Sequence, residues 1–207
     1  MSQFTPEQIF SRSPVIPVLI IKRLEDALPL ASALLRGGID IIEITLRSEC
    51  ALAAISLIRE QLPQMLVGAG TVLTSADIDA VVNAGGQFIV TPGATEPLLD
   101  QLRQCPIAVI PGISTVSEAM TARAKGFYHL KFFPAEACGG ASTLAALAGP
   151  LSDIQFCATG GIRPSNKQDY LALAHVPCIG GTWLTPQAAI DAQDWQQISQ
   201  LAAAAIQ

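Results

Sequence analysis

Eight short runs rich in β-branched residues recur about every 23 residues, and that rhythm restricts the architecture of this chain more than any other feature. The runs cover residues 15–21, 39–46, 66–72, 88–91, 107–111, 129–133, 154–159 and 177–181. Segments with helical spacing lie between them, at 24–36, 51–61, 75–83, 96–104 and 116–124. Several stop at glycine before the next run, as in Arg36-Gly37-Gly38, Ala84-Gly85-Gly86 and Lys125-Gly126, where a left-handed C-cap is expected. Helix starts are marked as well: Thr74-Ser75-Ala76-Asp77 and Ser114-Thr115-Val116-Ser117-Glu118 offer side-chain oxygens to the first free amides. Strand and helix in alternation predict an α/β chain with a parallel sheet. Eight such units within 207 residues predict one domain spanning residues 1–207, a compact (β/α)8 TIM barrel near the short end for that fold. An open doubly wound sheet competes with this reading, but no G-x-G-x-x-G follows the first run. Residues 4–11 predict a short N-terminal helix capped by Thr5 with Pro6 in its first turn, and a closing helix begins near Asp194.

Half of the residues are hydrophobic and only 14% are charged, so part of the apolar surface is expected to be buried between subunits. Twelve basic and seventeen acidic residues leave a net charge of -5, with no basic run to follow a phosphate backbone. Nucleic acid is therefore not an expected partner. Cys50, Cys105, Cys138, Cys157 and Cys178 are scattered, without C-x-x-C spacing, and read as small buried hydrophobes in a reducing compartment. The first residues lack the basic and apolar stretches of a signal peptide, and no apolar run reaches the roughly 18 residues that span a bilayer. The expectation is a cytoplasmic protein with no membrane partner.

In a barrel of this kind the carboxyl-terminal strand ends build the active site, so polar residues there carry the most weight. The second run reads Ile42-Glu43-Ile44-Thr45-Leu46-Arg47, and period-two geometry sets Glu43, Thr45 and Arg47 on one face. A carboxylate and a guanidinium on an inner face suit a proton carrier and a carboxylate clamp; a buried structural ion pair is the other reading. In the sixth run, Tyr128-His129-Leu130-Lys131-Phe132-Phe133-Pro134, Lys131 shares a face with His129 and Phe133. Desolvation disfavours the charged form of an amine, and a neutral amine attacks ketones, which points to Schiff-base chemistry. A lysine that snorkels to water is the plainer alternative. Lys22 is the rival nucleophile, although Arg23 beside it suggests a solvated end.

Gly68-Ala69-Gly70-Thr71 ends the third run with small residues that would let a ligand approach the backbone, and with a hydroxyl at the mouth. Pro92, in Val90-Thr91-Pro92-Gly93, can turn the chain and present an apolar ring to a substrate, although the residues alone favour an ordinary turn. The last two runs close with Thr159-Gly160-Gly161-Ile162 and Ile179-Gly180-Gly181-Thr182. Gly-Gly turns after strands seven and eight stand where such barrels bind phosphate, although tight turning alone also uses them. Gly160, Gly161, Gly180, Gly181 and Thr182 are thus phosphate candidates, and Thr159 is a further substrate contact.

Glu43-Ile44-Thr45-Leu46-Arg47, Gly68 to Val72, Lys131 to Glu136, Thr159 to Ile162 and Gly180 to Leu184 together resemble the 2-keto-3-deoxy-6-phosphogluconate aldolase family, whose members also act as 4-hydroxy-2-oxoglutarate aldolases. The likeness runs in order along nearly the whole chain. It implies a (β/α)8 barrel, a homotrimer, no metal or other cofactor, and small 2-oxo acid substrates. Position by position, Lys131 is similar to the Schiff-base lysine and Glu43 to the general acid/base. Arg47 and Thr71 resemble the holders of the pyruvyl carboxylate, Pro92 and Phe133 the apolar pocket walls, and Gly160, Gly161 and Thr182 the phosphate turns. Two positions depart from the pattern: Thr182 stands where serine is expected, and Arg163 where a small polar residue is expected. The implied reaction is cleavage to pyruvate and glyceraldehyde 3-phosphate, a step of the Entner-Doudoroff pathway, with 4-hydroxy-2-oxoglutarate giving pyruvate and glyoxylate. Two rivals remain at this point. A metal-assisted sugar-phosphate epimerase or decarboxylase would want histidine and acidic ligands, and the chain has only His129 and His175. A catalytically silent barrel that senses a phosphorylated metabolite would keep the turns without needing Lys131 and Glu43 together.

Overall fold

The computed structural model describes residues 4–207. Nine parallel strand segments alternate with helices: β1 (Val15–Leu19), β2 (Ile41–Thr45), β3 (Leu66–Gly70), β4 (Phe88–Val90), β5 (Ala108–Ile110), β6 (Gly112–Ile113), β7 (His129–Phe132), β8 (Gln155–Thr159) and β9 (Cys178–Gly181). Seven of the eight expected runs each form one strand, within the boundaries read from sequence. The run at 107–111 instead splits at Pro111 and continues to Ile113. Proline has no N–H to give a neighbour, so the ladder breaks there. The two halves then pair on opposite sides: Phe88 stands opposite Ala108, whereas Gly112 stands opposite Lys131. The Pro111 carbonyl accepts the Lys131 amide at 2.8 Å, and Ile110 accepts the Thr91 amide at 3.3 Å. With β1 also paired to β9, the strands form a barrel rather than an open sheet.

The helices are α1 (Pro6–Phe10), α2 (Ala27–Arg36), α3 (Ala51–Gln61), α4 (Ser75–Asn83), α5 (Glu96–Leu102), α6 (Val116–Ala124), α7 (Gly140–Leu147), α8 (Lys167–Leu171), α9 (Gln187–Asp191) and α10 (Trp195–Ala205). The helical segment expected at 24–36 opens as a 3-10 turn, Leu24–Asp26, before α2 begins. Thr5, Thr74 and Thr115 each complete a capping box, with Gln8, Asp77 and Glu118 returning the bond. Gly38, Gly85 and Gly126 adopt positive φ after their helices, as the punctuation predicts. Sequence periodicity did not identify α7, α8 or α9. Two of these have only five residues, and α7 is built mainly of small side chains that leave no clear apolar stripe.

Outward-facing Ile42, Ile44, Leu130 and Phe132 are fully buried beneath the helical layer. Inside the barrel the filling changes along its axis. Near the amino-terminal end, Phe88 fills the space left by Gly68, where a Cβ would come within 2.3 Å of the ring. Phe10 of α1 meets the His129 ring edge-on, with centroids 5.1 Å apart. This end is packed with rings, and the cavity lies toward the other.

Candidate active site

Lys131 and Glu43 come from opposite halves of the chain, 88 residues apart, yet their side chains meet inside the barrel. Lys131 is 5% exposed and Glu43 4% exposed, and Nζ lies 3.1 Å from Oε1. A buried amine and carboxylate at this distance satisfy each other's hydrogen bonding, so neither is left as an uncompensated charge. Gly70 makes the pair possible. A Cβ there would sit 2.0 Å from Glu43 Oε1, so the bare α-carbon is the space the carboxylate occupies. The small residues of the third strand therefore admit Glu43 and Phe88, and that is a correction to their reading as an approach for ligand.

Around this pair opens a cavity of about 340 Å3 lined by Val18, Glu43, Thr45, Arg47, Thr71, Pro92, Lys131, Phe133, Thr159, Gly160, Gly161, Ile162, Gly180 and Thr182. Its size fits a small ligand. Arg47 lies just past the end of β2, with its Nε 3.3 Å from Thr45 Oγ1, which in turn donates to the Leu19 carbonyl at 2.8 Å. Thr71 holds φ at 60, a left-handed conformation that costs a β-branched residue roughly 1 kcal/mol or more. Strain of this kind clusters at functional sites. Phe133 places its ring centroid 5.4 Å from Lys131 Nζ, a cation–π distance that also walls the amine from solvent.

Two turns form the far side. Gly160 and Gly161 have φ of 106 and 79, and the residues after β7 pack onto them: the Ala135 amide donates to Thr159 at 2.8 Å and the Glu136 amide to Gly160 at 3.0 Å. Gly180 yields its side-chain space to the Thr159 hydroxyl, 2.4 Å from where a Cβ would sit. Gly181 does not line the cavity; its bare α-carbon accommodates Trp183 and Leu184 instead. Arg163 also lies outside the lining and is exposed, with its amide donating to Asn166 Oδ1 at 2.7 Å.

The other lysines are elsewhere. Lys22 is exposed, Lys125 pairs with Asp100 at 2.6 Å, and Lys167 donates to the Ala205 carbonyl at 2.9 Å. His129 is on the same inner face as Lys131 but toward the opposite end, 3.7 Å from Glu7; burial pushes its pKa below the ordinary value, with Glu7 opposing that shift. His175 contacts the Leu144 carbonyl at 2.9 Å. Val18, Thr45 and Ile162 join the lining without having been assigned a role from sequence. Thr45 was visible by alternation with Glu43, whereas Val18 sits in Val15-Ile16-Pro17-Val18-Leu19, whose unbroken apolar run hides which face is inner.

The family model for KDPG and KHG aldolase matches residues 7–201. The chain belongs to the KDPG and KHG aldolase family. It is 50% identical over 201 residues to the KHG/KDPG aldolase of Escherichia coli K12, covering 97% of this chain and 94% of that one. It is likewise 50% identical over 200 residues to the 2-dehydro-3-deoxy-phosphogluconate aldolase of Dickeya dadantii, with the same coverage. Among solved structures, the family member from Legionella pneumophila superposes with a TM-score of 0.96 at 45% identity, covering 98% of both chains. That KDPG aldolase was captured with pyruvate as a covalent carbinolamine intermediate.

Proposed function

We propose that this chain is a class I aldolase that cleaves 2-keto-3-deoxy-6-phosphogluconate to pyruvate and glyceraldehyde 3-phosphate, and 4-hydroxy-2-oxoglutarate to pyruvate and glyoxylate. The observation that carries this reading is the buried Lys131–Glu43 contact at 3.1 Å, at the cavity wall. The names of the relatives and the carbinolamine in the Legionella enzyme support it.

Lys131 Nζ, having passed its proton to Glu43, attacks the C2 ketone; Glu43 then gives that proton to the carbinolamine hydroxyl, which leaves as water, so that an iminium and a free Glu43 carboxylate remain. The iminium accepts the electron pair of the C3–C4 bond as it breaks, while Glu43 takes the C4 hydroxyl proton and the aldehyde departs. The remaining enamine is protonated at C3, and hydrolysis releases pyruvate and the free amine. Arg47 and Thr71 hold the carboxylate so that the ketone reaches Nζ in an attack geometry, and Pro92 and Phe133 wall that end. Thr159, Gly160, Gly161, Gly180 and Thr182 receive the distal end, the two glycine turns taking its phosphate.

Borohydride added with pyruvate tests the assignment: it should fix a pyruvyl adduct on Lys131, located by peptide mass, and label nothing in Lys131→Ala. Adduct on Lys22 would move the nucleophile and refute this geometry.

The reading extends to a homotrimer in the cytoplasm. Exposed Leu73, Val116 and Met120 supply apolar surface for subunit contact, and all five cysteines are free thiols, as a reducing compartment allows. Among the described residues no helix is long and apolar enough to cross a membrane. Sedimentation should return three times the 21.7 kDa chain mass; a monomer would overturn the trimer.

A further inference from the structure

Glu136 and Tyr170 form a pair just behind the Gly160-Gly161 turn. Tyr170, on α8, is 1% exposed and donates its hydroxyl to Glu136 Oε1, while Glu136 itself is exposed. The stem of Glu136 presses on the turn: a Cβ on Gly161 would lie 2.6 Å from its Cγ and 2.7 Å from its Cβ. Its amide also donates to the Gly160 carbonyl at 3.0 Å. The chain leaving Gly161 reaches α8 through residues 162–166. One residue thus grips the segment from Gly160 to Tyr170 at both ends, by backbone and stem at the turn and by carboxylate at the helix. Burial and the adjacent carboxylate raise the tyrosine pKa well above its ordinary value, so it stays a donor through neutral pH.

We propose that the Glu136–Tyr170 bond is a positioning device that fixes the Gly160-Gly161 turn for the substrate phosphate and so sets the preference for phosphorylated over unphosphorylated 2-oxo acids. This rests on the reading above that the turn takes phosphate. Backbone groups bind an anion well only when held converged before it arrives, and a free carboxylate next to the turn would repel it. The tyrosine hydroxyl answers both needs: it anchors the side chain that buttresses Gly161, and it occupies one carboxylate oxygen.

Steady-state kinetics on both substrates tests this. Tyr170→Phe and Glu136→Ala should each raise KM for 2-keto-3-deoxy-6-phosphogluconate about tenfold, the worth of one hydrogen bond to a charged group, with kcat changed less than about twofold. KM for 4-hydroxy-2-oxoglutarate and the rate of borohydride trapping with pyruvate should not move. Glu136→Gln keeps an acceptor for the hydroxyl and should recover the wild-type KM, and the double variant should be no worse than either single. Equal losses on both substrates would make the pair a general structural prop and overturn the proposal, as would a Tyr170→Phe protein with wild-type constants. Thr182→Val separates the two layers of inference. If it raises KM for the phosphorylated substrate while Tyr170→Phe does not, the phosphate site stands and the clasp falls; if neither variant moves it, both fall. Should Tyr170→Phe fail to fold, the exposed Glu136→Ala truncation still decides.

Discussion

His129 and Lys131 stand two residues apart on one inner face of β7, yet they belong to two different worlds within the barrel. Toward the amino-terminal end, His129 lies between Phe10 and Glu7, and the space beyond Gly68 is filled by the Phe88 ring. One step along the same face, Lys131 meets a carboxylate and borders a cavity walled by hydroxyls, bare backbone and a guanidinium. Period-two geometry delivers side chains to both places alike. What separates them is height along the barrel axis, and the lesson is that one end is filled by its own side chains while the other leaves room for a ligand.

The sharpest way to break this comparison is Lys131→Ala, which should lower turnover by about 10⁴-fold or more in a pyruvate-release assay. Substantial residual cleavage would place the chemistry elsewhere. Glu43→Gln comes next: kcat should fall by about 10²- to 10⁴-fold as proton transfer is lost, while pyruvate trapping on Lys131 persists. Phe10→Ala probes the other end and should cost about 3 to 4 kcal/mol in urea unfolding, with KM and kcat of the folded enzyme unchanged. A large change in kcat there would show that the two ends are not independent. Thr71→Gly should relieve strain, adding about 1 kcal/mol of stability, and yet raise KM by roughly tenfold through loss of the hydroxyl.

The smallest effect concerns pH. Burial pushes the His129 imidazole below its ordinary value of 6.5, against the pull of Glu7. The unfolded chain then binds that proton more tightly than the folded one, so this contribution is fully present above pH 6.5 and declines as pH falls from there through the depressed folded value. In His129→Gln the corresponding slope of unfolding free energy should vanish. An unchanged slope would assign the acid sensitivity to other groups.

Much of this arrangement was legible before any coordinates. Glycine stops, threonine caps and apolar rhythm announced the alternating units, and strict alternation in Ile42-Glu43-Ile44-Thr45 disclosed which side chains faced inward. The Lys131–Glu43 pairing was legible only as two inward faces, because the distance between strands remote in sequence depends on barrel closure. Pro111 was read as the end of a strand, whereas it is an interruption with pairing on both sides. Glycines misled in another way. Gly70 and Gly181 are small for the sake of neighbouring side chains, Glu43 and Trp183, and a one-dimensional reading does not reveal which neighbour needs the room. Tyr170 drew no reading from the sequence, because the five residues of α8 are too few to show a periodicity.

The junction at Pro111 bears on the order in which the Lys131–Glu43 pair can be assembled. Glu43 is made early and Lys131 late, and the amide of Lys131 is itself bonded to the Pro111 carbonyl where the two halves join. A growing chain that has laid down only its first five strand segments carries the acid without the amine. Lys131 and Glu43 can therefore meet only after the chain has run past the Pro111 junction, and the ring around them closes later still, when β9 pairs with β1.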